Sequence, residues 1–320
     1  MHEQDNAKLS ESPRGSQSRF LGIRKPPISL RLDEHTAMIL IAVGIGIAGG
    51  LGAAFFRWLI GAFQDLAWGT GGTPLDKFAR SPWYLRVSIP AAGGLLVGLI
   101  IKFFAPEAKG HGVPEVMLAV ARKGGVIRPI VAIAKSFASA ICIATGGSVG
   151  REGPIVQIGA GIGSTLGQLL KLSTRRIKIC VGCGAAAGIA ATFNAPIAGA
   201  FFAAEVILGG FALGSFGAVV ISSVTATVIA RTMLGDVPAF IILEYHIVNP
   251  AEMITYVVLG IVAGAAAVAF VSILHWFEDL SDRLRRIPGF VQAAIGGLLI
   301  GTVGLVLPPV SYTHLRAHET

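Results

Sequence analysis

Between residues 36 and 307 this chain is almost continuously apolar, and that confines it to one class of fold. The apolar segments run approximately 36–66, 84–104, 128–145, 150–170, 177–191, 196–209, 213–234, 250–280 and 289–307. Lipid offers no partner to a backbone N–H or carbonyl, so segments like these must satisfy their hydrogen bonds internally, as helices. Only 14 % of the residues are charged, against roughly 25 % in a soluble domain, and mean hydropathy is +0.71. The expectation is an all-α polytopic membrane protein. Its 42 glycines fit that class, because small residues let membrane helices approach where no hydrophobic effect draws them together. The segment lengths are uneven. A perpendicular span takes about 20 residues, so 36–66 should tilt strongly, while 111–122, 150–170 and 196–209 should be partial or re-entrant helices.

Composition excludes other classes. The net charge is +8, but the basic residues are scattered or terminal, without the aromatic-interleaved stripe that tracks a nucleic-acid backbone. Ionisable residues are sparse outside tails and loops, and no Ser/His/Asp arrangement, HExxH or metal-ligand cluster sits at catalytic spacing. Neither an enzyme nor a metal or cofactor is expected. Cys142, Cys180 and Cys183 form no disulfide framework, and burial in apolar helices suits them. Residues 1–33 are polar, with Arg14, Arg19, Arg24, Lys25 and Arg31 ahead of the first apolar segment. They are expected to form a cytoplasmic tail without a cleavable signal, since that first segment far exceeds a signal-peptide core.

An internal repeat organises the rest. Gly46-Ile47-Ala48-Gly49-Gly50 through Phe63-Gln64-Asp65-Leu66 aligns without a gap on Gly260-Ile261-Val262-Ala263-Gly264 through Phe277-Glu278-Asp279-Leu280. Gly93-Gly94-Leu95-Leu96-Val97-Gly98 then matches Gly296-Gly297-Leu298-Leu299-Ile300-Gly301. The expected units are a first repeat over 34–234 and the start of a second over 235–310. A basic tail precedes the first, whereas acidic residues 235–253 precede the second and Arg283, Arg285 and Arg286 follow its long helix. By the positive-inside rule the repeats are inverted, which places a substrate near the midplane at broken helix ends.

Two broken helix starts lie in the first half: Gly110-His111-Gly112-Val113-Pro114-Glu115 and Gly150-Arg151-Glu152-Gly153-Pro154. Glycine lets the chain turn into a helix and proline is pre-organised for its first turn, leaving N–H groups that point off the end. Such an end carries about half a positive charge and attracts an anion without trapping it as a full cation would. Glu152 would put a carboxylate where the anion binds, competing when ionised and withdrawing when protonated. The alternative is a buried ion pair with Arg151, although adjacent side chains on a helix do not face each other.

With the run Gly184-Ala185-Ala186-Ala187-Gly188 continuing to Phe193-Asn194-Ala195-Pro196-Ile197-Ala198-Gly199, these motifs resemble the CLC family of chloride channels and chloride/proton antiporters over roughly 35–310. The resemblance implies an inverted-repeat fold with tilted and re-entrant helices and an anion pathway in each subunit of a homodimer. It also implies that Glu152 gates a site formed by Gly110, His111, Gly112, Val113 and Pro114 with Gly150, Arg151, Gly153 and Pro154. An integral protein of a bacterial inner membrane, N-terminus in the cytoplasm, is the expected setting. Two positions depart from the family pattern. His111 stands where the best-known members carry an anion-binding serine, so chloride, fluoride or another small anion stays open, as does a ring turned aside while the backbone binds. Val206 stands where antiporters similar to this chain carry their second acid, after Glu205, which favours a channel over a proton-coupled antiporter. Glu205 is then a proton relay or a structural acid.

The equivalent of Glu152 in the second repeat should fall near position 355, so that repeat is expected to be incomplete; a working anion pathway, doubtful as a dimer, is the first expectation and a fragment inactive on its own the alternative. Residues 311–320, which break the apolar pattern after Pro308-Pro309, are expected to be non-native sequence, the alternative being an ordinary polar loop.

Overall fold

The computed structural model describes residues 34–106, 110–210, 213–236, 249, 252–283 and 287–307. The polar tail, Arg285, Arg286 and the last ten residues lie outside that set, as does most of the acidic stretch before the second repeat. The described residues form helices joined by short turns: α1 (Glu34–Trp68), α2 (Pro74–Arg80), α3 (Trp83–Phe104), α4 (Val113–Arg122), α5 (Pro129–Ala144), α6 (Glu152–Leu169), α7 (Thr174–Phe193), α8 (Pro196–Phe202), α9 (Leu213–Leu234), α10 (Glu252–Arg283) and α11 (Gly289–Val306). A π-helical turn, Ala203–Ile207, extends α8. At 1.5 Å per residue the 35-residue α1 is roughly 50 Å long, well beyond the ~30 Å hydrocarbon layer. Such a helix must tilt or protrude.

Hydropathy and burial run in opposite directions. In its most apolar stretch α10 has mean hydropathy 2.7 and buries nothing, whereas α7, at 1.3, is 72 % buried. The outermost helix is apolar because lipid demands it. The central one is built of Gly and Ala because neighbours must come close. Along α7, Ala185, Ala186 and Ala187 are fully buried, and it runs antiparallel to α6 with Gly159 against Gly184, Gly163 against Cys180 and Gly188 against Ile155. A methyl group on either Gly159 or Gly184 would strike the other's carbonyl oxygen. On α1, Gly46 and Gly50 meet the backbone of Ser222 and Ala226 in parallel α9, and Gly49 meets Ala187.

The repeated glycine motifs pack on each other. A Cβ on Gly94 would strike the carbonyl oxygen of Ala293, and one on Gly297 that of Pro90. With Gly93 matched to Gly296, Pro90 is the counterpart of Ala293 and Gly94 of Gly297. Exchanging the repeats therefore turns each contact into the other. Gly98 against Phe290 and Gly301 against Val87 form a second reciprocal pair. Positions on α3 rise as their partners on α11 fall, so the helices are antiparallel. This reciprocity is the mark of a two-fold relation, and it gives the inversion inferred from charge a geometric basis.

The ends of the bundle differ in charge. Lys77 on α2 bonds Asp65 near the end of α1 at 2.6 Å, and Asn194, Arg231 and Asp236 form a polar cluster. At the other end, Arg176 bonds Glu34 at the start of α1 at 2.5 Å, among Arg122, Lys123, Lys171, Arg175 and Lys178 in and beside the α4–α5 and α6–α7 turns. Lys102, near the end of α3, lies over the ring of Phe290 at the start of α11.

Reciprocal packing makes a paired prediction for thermal unfolding in detergent. Gly94→Ala and Gly297→Ala should each lower stability by a similar amount, about 1–3 kcal/mol for a methyl forced into a close-packed contact. Gly296→Ala, with open space around it, should be neutral. Three equal effects would contradict the close approach.

Candidate functional site

Both broken helix starts come together. A Cβ on Gly112 would strike the carbonyl oxygen of Gly153, and one on Gly153 would strike that of His111. The two loops thus touch backbone to backbone. Gly110 and Gly112 lie in the left-handed region, at φ 116° and 95°, which makes glycine the residue of choice at both. The ten-residue α4 spans about 15 Å, half the hydrocarbon thickness. It ends at Arg122 in the basic turns, so its first residue sits near the middle of the layer.

Each loop is held by groups that differ in kind. At α4, the backbone N–H of Gly112 donates to Glu115 Oε2 at 2.6 Å, so the helix's own third residue caps its start. Buried Lys135 of α5 donates to the Gly110 carbonyl oxygen at 2.6 Å and feels the Glu115 carboxylate. Neither residue was singled out from sequence. Lys135 carried a signal, as a charge inside an apolar segment. Glu115 lay in the motif without an assigned role.

At α6, the residue before the helix, Arg151, provides no side-chain cap. The helix opens with Glu152 and Gly153, and Pro154, third in the turn, has no N–H to satisfy. Proline therefore stands at the third position here and the second in α4, rather than at the very start. Half-buried Glu152 folds its carboxylate toward Gly150, just ahead of the helix. Gln157, 2 % exposed, lies one turn further in beside Gly112, and its Oε1 has no hydrogen-bond partner. Sequence reading passed over it as one polar residue in an apolar run.

The His111 ring turns toward the second repeat. Its Nε2 lies 3.0 Å from Glu278 Oε1 on α10, and this ring–carboxylate contact ties the first repeat's loop to the second repeat. Both side chains are about half exposed or more. The third glycine-rich motif serves as a mount. Gly184 and Gly188 seat α6, while left-handed Asn194 ends α7 and bonds Asp236 and Arg231. In the π-helical turn Glu205 is exposed, while half-buried Val206 packs on the core.

The sequence pattern of the voltage gated chloride channel family matches residues 93–319. The chain belongs to the voltage-gated chloride channel family. A ClcB-like protein of Ralstonia nicotianae is 35 % identical over 286 residues, which is 85 % of this chain and 64 % of the relative. Two solved structures share the fold. A slow cyanobacterial Cl⁻/H⁺ antiporter matches with TM-score 0.71 at 24 % identity, over 86 % of this chain and 64 % of its own. A CLC-type fluoride/proton antiporter matches with TM-score 0.73 at 22 % identity, over 87 % and 67 %. The chain thus spans just under two thirds of that relative's length. Its fold is the family's, and it is an integral membrane protein.

The Lys135–Glu115 arrangement can be tested by a double-mutant cycle in detergent. Lys135→Met alone removes the hydrogen bond to the Gly110 carbonyl oxygen and a cation acting on the Glu115 carboxylate, and should cost about 1.5–3 kcal/mol. In a Glu115→Gln background the same change should cost clearly less. Simple additivity of the two unfolding midpoints would show that the residues act separately.

Proposed function

We propose that this family member carries small anions, chloride first, through a site where the α4 and α6 starts meet. Backbone contact between the His111–Gly112 and Gly153 loops carries the reading, because it aims two helix ends at one place. Half a charge at ~4 Å and an effective dielectric near 20 is worth on the order of 2 kcal/mol per helix end. That is enough to hold an anion and weak enough to release it. Gly110 to Pro114 supply one wall, with Gly150, Arg151, Gly153 and Pro154 the other, and Glu152 is the gate. Ionised, its carboxylate competes for the α6 end that Arg151 leaves uncapped; protonated, it leaves.

His111 bonded to Glu278 would set anion preference by steering the ring toward the carboxylate and away from the anion. Valine at 206 supports passive conduction, since its side chain carries no proton, and exposed Glu205 is the remaining candidate relay. Proton-coupled chloride or fluoride exchange is the second reading, favoured by likeness to two antiporter folds. The basic end faces the cytoplasm by the positive-inside rule, which puts the N-terminus there, in a bacterial inner membrane. The working unit is a homodimer. Whether these 320 residues conduct unaided is decided by the same experiment.

Chloride efflux from liposomes holding the purified chain tests these points together. The expected result is passive efflux that Glu152→Ala speeds by about tenfold and frees of pH dependence, without uphill proton movement under a chloride gradient. Stoichiometric uphill proton flux would establish exchange instead. A silent chain that nonetheless binds chloride would mark a fragment lacking part of the pathway, and indifference to Glu152→Ala would remove the gate.

A further inference from the structure

A groove of about 630 Å³ runs between α4, the start of α7 and the π-helical turn. Its walls include Met117, Leu118, Ile179, Val206 and Leu208, and α7 contributes Arg175 and Lys178. No acidic side chain lines it among the described residues. Among the described residues neither cation has an acidic partner, although Arg176 beside them is paired with Glu34. The groove opens at the basic end of the bundle, with Arg122 and Lys123 exposed at the end of α4.

Two uncompensated cations beside an apolar trough call for a ligand with both characters. A free anion would engage the cations and leave the trough wet. A neutral lipid would fill the trough and leave the cations unmatched. We propose that the groove holds one anionic phospholipid, its phosphate on Arg175 and Lys178 and an acyl chain along Met117, Leu118 and Val206. Charge complementarity selects the head, and basic groups near a membrane surface each contribute about 1 kcal/mol toward anionic lipid. Valine at 206 is part of the fit, because an acid there would repel the phosphate and wet the trough. The inference does not rest on anion passage.

Native mass spectrometry of the purified 320-residue chain, with phosphatidylglycerol and phosphatidylcholine offered together, provides the test. One phosphatidylglycerol per chain should survive in preference to phosphatidylcholine. Arg175→Ala with Lys178→Ala should cut its retention on the order of 30-fold, the combined effect of two such groups. Val206→Glu and the groove-filling Ala121→Trp should also cut it, whereas Arg122→Ala with Lys123→Ala should change it by less than about twofold. Melting temperatures taken without added lipid, expected to match the parent for the variants at exposed Ala121, Arg122 and Lys123 and at Arg175 and Lys178, keep a folding defect from passing as lost binding, and Val206→Glu is read only against its own melting temperature. Equal losses from both cation pairs would reduce the effect to diffuse surface charge and overturn the proposal. So would retention in Ala121→Trp, equal retention of the two lipids, or displacement by inorganic phosphate.

Discussion

Close approach of helix backbones through glycine is the interaction on which the rest of this molecule depends. In a bilayer, apolar side chains gain nothing by leaving lipid for protein, so helices hold together by packing and by contacts that only small residues allow. The α6–α7 pair meets carbonyl to Cα at Gly159 and Gly184, and that contact fixes where α6 begins. Without it Glu152 would have no defined place. The α3–α11 pair uses the same device reciprocally at Gly94 and Gly297, joining the two repeats around a local two-fold relation. Glycine thus sets both the architecture and the coordinates of the site.

Electrostatics then acts within that frame. The start of α4 is satisfied by Glu115 from its own first turn, with Lys135 fixing the loop ahead of it. The start of α6 has no comparable side-chain cap, and its glutamate is the first residue of the helix. One end is therefore capped from within its own first turn and the other is not. On the proposed reading, a weak, shared positive potential beside one carboxylate suits reversible anion binding better than a fixed cation would.

Much of this was legible in the sequence. Apolar runs gave the helices, and glycine matches with the charge asymmetry gave the repeat and its inversion. The Gly-Pro starts at 110–114 and 150–154 marked the two loops that meet. What remained hidden depends on tertiary placement. Glu115 looks like any first-turn acid until Gly112 is seen donating to it. The pairing of His111 with Glu278 joins residues 167 positions apart, and no local pattern announces it. Gln157 reads as a lone polar residue in a buried helix, and only its position beside Gly112 gives it interest. The π-helical turn at Ala203–Ile207 is likewise invisible to periodicity, yet it determines that Val206 packs inward while Glu205 is exposed. Lys135 was the exception. A lysine inside an apolar segment is a signal in its own right, and it was passed over.

The central claim is that the α4 and α6 starts form one anion site shared with the Glu152 carboxylate. Bromide-soaked crystals of Glu152→Gln test it directly, because anomalous scattering locates the ion without reference to transport. The account predicts a bromide peak at the junction of the Gly112 and Gly153 loops, stronger than in the parent chain, where the carboxylate competes. Bromide bound elsewhere, with none at that junction in either protein, would contradict it.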